Sequence, residues 1–181
     1  MILNDCEIWF AKVDPKRPNA KFNQENPTWE VQLRTTDKEK KKDWESKNLI
    51  VKAIVPDEGE PYFRVNLRKK SFKVDGEPSS PVKVVDTKLN PVDPNSIGNK
   101  SIANVRVFQY DYVSKTGKPG VVTVLMGIQL TKHLIYIPTP REDEFAELDA
   151  ETEVIQPPEE EESGEDSEEA PSVNSAKNIS L

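Results

Sequence analysis

A period of two in the side chains constrains this chain more than any other feature. Across residues 62–72, Tyr62, Arg64, Asn66, Arg68, Lys70 and Phe72 fall on one side of an extended backbone, and Phe63, Val65 and Leu67 begin the other. An aliphatic face opposite a polar one at this spacing is a half-buried β-strand; a helix would repeat its apolar positions every three or four residues. Residues 28–35 alternate in the same way, with Trp29, Val31 and Leu33 against Glu30, Gln32 and Arg34. Further strands are expected over 5–13, 49–55, 62–74, 82–87, 100–113 and 121–136, with prolines and glycines between them. One polar helix is expected over 37–47. Thr36-Asp37-Lys38-Glu39 matches a capping box at its start, and Trp44 is its only large apolar residue and thus its anchor. Lys40, Lys41 and Lys42 read as its solvated face. Many short strands and one helix predict a mainly β fold, an OB-type five-stranded barrel with one short helix.

Charge divides the chain in two. The net charge of −7 over 181 residues conceals a basic body and an acidic end. Residues 1–138 hold 23 Lys and Arg against 17 Asp and Glu, and residues 139–181 hold 2 against 15. The expected organisation is therefore an OB-fold domain over 1–138 and a disordered acidic tail over 139–181, because a segment so poor in apolar residues cannot offset its ordering entropy. Glu159, Glu160, Glu161, Glu162, Glu165, Asp166, Glu168 and Glu169 form its most acidic run. A short helix at 142–148, with Phe145 and Leu148 one turn apart, is the one local element expected there.

Catalysis finds little to work with. His133 is the only histidine and Cys6 the only cysteine, so no disulfide, no His/Cys metal site and no Ser-His nucleophile system is expected. His133 lies in an apolar stretch and reads as a structural histidine with its hydrogen bonds satisfied. No phosphate-binding glycine motif occurs. The chain reads as a non-enzyme without metal or cofactor. It has no long apolar run and no secretory signal at its start, so a soluble, cytoplasmic protein is expected.

The polar strand faces are more telling. Tyr62, Arg64, Arg68, Lys70 and Phe72 mix aromatics with cations, and Arg106, Phe108, Tyr110 and Tyr112 repeat the mixture opposite Val105 and Val107. Cations neutralise phosphates, and aromatic faces stack on bases at roughly 1–3 kcal/mol per base. Trp9 and Phe10 are adjacent, so a regular strand would bury one and present the other; Trp9 and Lys12 join the candidate surface. Lys16, Arg17 and Lys21 lie in a Pro-rich loop that could embrace a phosphate backbone.

The blocks Pro61-Tyr62-Phe63-Arg64-Val65-Asn66-Leu67-Arg68-Lys69-Lys70, Val84-Val85-Asp86, Ser96-Ile97-Gly98-Asn99-Lys100-Ser101, Val105-Arg106-Val107-Phe108-Gln109-Tyr110-Asp111-Tyr112 and Gly127-Ile128-Gln129-Leu130, followed by an acidic end, resemble the replicative single-stranded DNA-binding proteins of tailed bacteriophages. The resemblance runs over about residues 5 to 170. It implies an OB fold that coats single strands during phage DNA replication and recombination with little sequence preference, in an infected host cell. It also implies homodimers, and an acidic tail that contacts the replication polymerase and the helicase or primase. Tails of that family often finish with an aromatic residue; this chain ends Lys177-Asn178-Ile179-Ser180-Leu181, which leaves the 159–169 run as the expected partner contact. The residues by themselves leave two other readings open, an RNA-binding OB protein and an assembly factor acting through its acidic arm.

Overall fold

The computed structural model describes residues 1–137. The expected tail, 139–181, and its short helix lie outside the described residues. Strands β1 (Ile2–Lys12), β2 (Thr28–Thr35), β3 (Lys52–Ile54), β4 (Tyr62–Lys70), β5 (Lys83–Val85), β6 (Ser101–Val113) and β7 (Pro119–Lys132) join in the order β3-β4-β2-β1-β6-β7-β5. A parallel contact of Arg68 with Val124 joins β4 to β7 and closes β1, β2, β4, β6 and β7 into a five-stranded barrel. This is the OB-type barrel with one short helix that the strand pattern predicts. β3 extends the sheet beside β4, and β5 runs parallel to β7.

The barrel interior is where the alternation places it. Leu3, Cys6 and Ile8 of β1, Trp29, Val31 and Leu33 of β2, Val65 and Leu67 of β4, Val105 and Val107 of β6, and Leu125 and Ile128 of β7 form one apolar cluster. Burial and its low dielectric push the Cys6 thiol up to about 11. The inner stripe of β4 continues as Lys69, also buried, which donates to Ser80 Oγ at 3.1 Å. Desolvation holds its ammonium below the usual lysine range.

Helix α1 (Lys38–Ser46) sits on the barrel through Trp44, which is 1% exposed. Its cap differs from the expected one. Asp37, not Thr36, is the N-cap: its carboxylate accepts the Glu39 amide at 2.8 Å, while Thr35 Oγ1 accepts the Asp37 amide. The carboxylate stands one residue nearer the helix and is the stronger acceptor there. The lysines are also not all solvated. Lys40 donates to the carbonyl of Asp5, and Lys41 lies 5.5 Å from the Phe63 ring. That contact explains why Phe63 is half-buried under the helix instead of deep in the barrel.

Several strands are shorter than the apolar pattern implies. β4 ends at Lys70 because residues 71–80 fold back as a tight excursion, with Lys73 and Glu77 paired at 3.0 Å and the Ser79 amide bonded to the Ser71 carbonyl. β7 ends at Lys132, so His133 lies beyond the strand and not inside it. Its Nε2 stands 3.1 Å from Ser96 Oγ and 3.2 Å from the Ser96 carbonyl. Among the described residues, no helix is long and apolar enough to cross a membrane.

Two measurements check this core. Trp44→Ala is expected to cost about 3–5 kcal/mol, read as a lower urea midpoint; a near-neutral change would mean that the helix is not seated on the barrel. Cys6 is protonated at pH 8 and is expected to resist iodoacetamide until the barrel opens. Because its folded pKa lies above the ordinary 9.0, its share of stability is intact below pH 9 and is lost as pH climbs toward 11.

Candidate nucleic-acid interface

Three barrel strands carry the polar face. β2 pairs with β4 over its whole length, from Thr28↔Lys70 to Thr35↔Phe63. The inward residues of both include Trp29, Val31, Leu33, Val65, Leu67 and the buried Lys69, so Glu30, Gln32 and Arg34 share the exterior with Tyr62, Arg64, Asn66, Arg68 and Lys70. In OB barrels the second and third strands, with the loops between strands 1–2 and 4–5, form the oligonucleotide surface. Here these are β2 and β4, loop 13–27 and loop 114–118.

β1 supplies the aromatics by an irregularity. Its register with β2 passes from Trp9↔Gln32 to Lys12↔Glu30, three residues against two, so one residue is extra. The bulge falls at Phe10, whose φ is +50°. Its amide is held by Asn99 Oδ1 at 2.8 Å. The bulge undoes strict alternation, so neither ring enters the core: Trp9 is half-exposed and Phe10 is 53% exposed. Both face the Arg34 guanidinium, at 4.1 Å for Trp9 and 5.2 Å for Phe10, and Tyr62 approaches the same group to 4.5 Å. The expectation that one of the pair is buried is corrected by this one-residue insertion. Arg34, absent from the expected site, is its centre. Its outward position was legible in the 28–35 alternation; its convergence with three rings from two other strands was not.

Glu30 organises the next rung. Its carboxylate accepts from Asn19 Nδ2 at 2.6 Å and lies 3.9 Å from Lys12 Nζ and 3.5 Å from Arg68 Nε. It draws a cation from β1 and another from β4 onto one line across the sheet. Beyond it, Gln32 Nε2 donates to Asn66 Oδ1 at 3.1 Å. Lys12, Gln32, Asn66, Arg68 and Phe10 line one shallow concavity. Arg64, Asn66 and Arg68 line a second one, of about 420 Å³, with Lys52, Tyr112 and Val122. Tyr112 therefore joins the β4 cations through barrel closure. Its ring lies against Gly120, where a Cβ would meet Tyr112 Cε1 at 2.5 Å.

The remaining expected residues divide. Phe108 pairs with Val124, the residue that contacts Arg68, and is 56% exposed with its ring 6.2 Å from that of Tyr110. Lys70 closes the outer row at the end of β4 opposite Thr28. Phe72 lies past the strand end, exposed, its backbone clasped by the Asn26 side chain of loop 13–27. Arg106 pairs with Ile2 and Gly127 and lines a concavity with Lys83, Leu89 and Asn104 that shares no residue with the Arg64–Arg68 cleft. The period-two pattern puts it outside the barrel, but curvature turns it to another wall. Phe22 of loop 13–27, 75% exposed with Lys21 Nζ 5.5 Å from its ring, is an aromatic that the strand pattern could not reveal. Among the described residues, no group of His, Cys, Asp and Glu could hold a metal ion.

This barrel has solved counterparts. The single-stranded DNA-binding protein from bacteriophage Enc34 in complex with ssDNA superposes with a TM-score of 0.52 at 13% identity, over 72% of this chain and 85% of that one. The same phage protein in a second structure matches with a TM-score of 0.50 at 13% identity, over 78% and 86%. The two chains share a fold. No protein-family model and no curated protein matches the sequence. The likeness is therefore one of barrel architecture.

The strained bulge gives a stability test. At φ +50° Asn is tolerated and a β-branched residue is not. Phe10→Asn is expected to leave the melting midpoint unchanged or higher, and Phe10→Val to cost about 1–2 kcal/mol. Equal effects of the two would show that residue 10 is not held in the left-handed region.

Proposed function

We propose that this chain binds single-stranded DNA with little sequence preference and coats it during phage DNA replication and recombination. The observation that carries the reading is the continuous exterior of β1, β2 and β4. There Lys12, Arg34, Arg64, Arg68 and Lys70 alternate with Trp9, Phe10 and Tyr62. Such a surface meets phosphates with cations and bases with rings, a mode that tolerates any base because every base has a π-face. The fold shared with the Enc34 single-stranded DNA-binding protein supports it, since that structure is a complex with ssDNA. Tyr112, Phe108 and Tyr110 extend the track along the β6–β7 hairpin, and loop 13–27 with Lys21 and Phe22 forms its other border.

The acidic end has a part in this reading. A segment with 2 basic and 15 acidic residues, tethered to a body with 23 basic and 17 acidic, reaches a high local concentration at the cationic face and competes with a strand for it. DNA would displace it, leaving Glu159, Glu160, Glu161, Glu162, Glu165, Asp166, Glu168 and Glu169 free for the replication polymerase and the helicase or primase.

The test is a fluorescence-polarisation titration with labelled poly-dT, duplex DNA and matched RNA across a salt series. Tight binding that favours poly-dT is expected, with a log–log salt slope of about −0.7 per neutralised phosphate. Arg64→Ala and Arg68→Ala are each expected to lower that slope by about one phosphate's share with the fold intact. Equal affinity for duplex, or no binding to any nucleic acid, would overturn the proposal. Removal of residues 139–181 is expected to tighten poly-dT binding at low salt; unchanged or weaker binding would dismiss the competing tail.

A further inference from the structure

Arg34 stands between rings that reach it from opposite flanks of its strand. Its direct register partners are Glu7 on β1 and Arg64 on β4. Trp9 reaches it from the β1 side, opposite Gln32, and Tyr62 from the β4 side, two residues beyond Arg64 in the other direction. The rings thus converge diagonally on one guanidinium, with their centroids 4.1 Å and 4.5 Å from its central carbon. A guanidinium is flat and delocalised, like a nucleobase, and both settle on aromatic faces.

No carboxylate among the described residues fixes the guanidinium in that slot. Among the described residues Arg34 has no ion-pair partner, and its Nε donates to a neutral acceptor, Gln32 Oε1, at 2.6 Å. By contrast, Arg68 on the same face is held by the Glu30 carboxylate. The slot opens on a concavity of about 580 Å³ whose lining sets Lys40 and Lys100 beside the carboxylates of Asp5, Glu7 and Glu60, with Lys100 Nζ 5.8 Å from the Trp9 ring. A cation that leaves the rings there has room, and Lys40, Lys100 and the displaced guanidinium are the groups that can meet the phosphate of an arriving base.

Resting on the single-strand reading above, we infer that Arg34 is a placeholder for a nucleobase. In the free protein it fills the gap between Trp9 and Tyr62 and shields both rings from water. An unpaired base entering the gap displaces the guanidinium toward the strand's phosphates. A base in a duplex is already stacked on both faces and has no free face to offer, so the slot discriminates for single strands.

Trp9 reports on the slot. Of the three tryptophans, Trp29 and Trp44 are 3% and 1% exposed, whereas Trp9 is half-exposed. Acrylamide quenching of tryptophan emission is measured on the full chain, on Arg34→Ala and on Arg34→Lys, with and without saturating poly-dT. Affinities are taken at low and high salt, and thermal melts show that each variant is folded. Without DNA both variants are expected to be quenched more than the wild type, since neither can lie flat between the rings. With DNA all three are expected to be equally protected. Arg34→Ala is expected to lose affinity at low salt, and to equal or exceed the wild type by about threefold at high salt, where the stacking it no longer has to vacate decides. Should Arg34→Ala fail to fold, Arg34→Lys carries the quenching comparison alone. A wild-type protein that binds poly-dT with no change in Trp9 quenching would overturn the placeholder, as would a tenfold or greater loss for Arg34→Ala at high salt. A wild-type protein that does not bind poly-dT at all would instead overturn the single-strand reading.

Discussion

The contact between β4 and β7 at Arg68 and Val124 decides the form of everything around it. Without it the strands would make an open sheet whose two edges carry unpaired backbone groups. With it, β4 gains a neighbour 56 residues away in sequence, the apolar stripes of five strands face one interior, and the row of Tyr62, Arg64, Arg68 and Lys70 faces outward. Closure also decides which outward faces adjoin. Arg64 and Arg68 come to share a cleft with Tyr112, although no local signal links residues so far apart. The same curvature carries Arg106 away to a different concavity.

Irregularity is as useful to this surface as regularity. β1 shifts register twice, between Leu3 and Cys6 against β6 and between Trp9 and Lys12 against β2. In both places a residue takes a positive φ, Asp5 and Phe10, and in both an asparagine side chain, Asn104 and Asn99, accepts its amide. The second bulge matters most. It turns two consecutive aromatics to solvent and brings them to one guanidinium from β2. Strain of this kind persists where surrounding bonds over-determine it, and here the surrounding ladder and the Asn99 clasp supply them.

Electrostatics on the exterior is arranged, not merely basic. Glu30 is the acidic group set among the cations of the β2–β4 face, and it collects Lys12 and Arg68 from opposite sides. A carboxylate in that position lowers the local positive potential slightly but fixes where two positive charges stand. Arg34, a few residues along the same strand, has no carboxylate partner among the described residues and rests on rings and on Gln32 Oε1. The face therefore combines a cation held by a carboxylate with one held by aromatic faces, a difference between neighbouring arginines that sequence composition does not contain.

Alternation by itself determined much of this protein. It set the strands, the inward stripe of Trp29, Val31, Leu33, Val65 and Leu67, and the outward row of Tyr62, Arg64, Arg68 and Lys70, because a pleated backbone must send successive side chains to opposite faces. Trp44 was legible as the helix anchor because it is the one large apolar residue in a polar helix. Alternation failed where its premise failed. At Trp9 and Phe10 a single inserted residue broke the period, and past Lys70 a local turn ended the strand before Phe72. Arg34 showed its side of the strand but not its company, since rings from β1 and β4 meet it only after three strands pair in register. Which side chains point outward is a property of one strand, decided by local stereochemistry. Which of them share a surface is a property of closure, decided by pairings between segments that the chain keeps far apart.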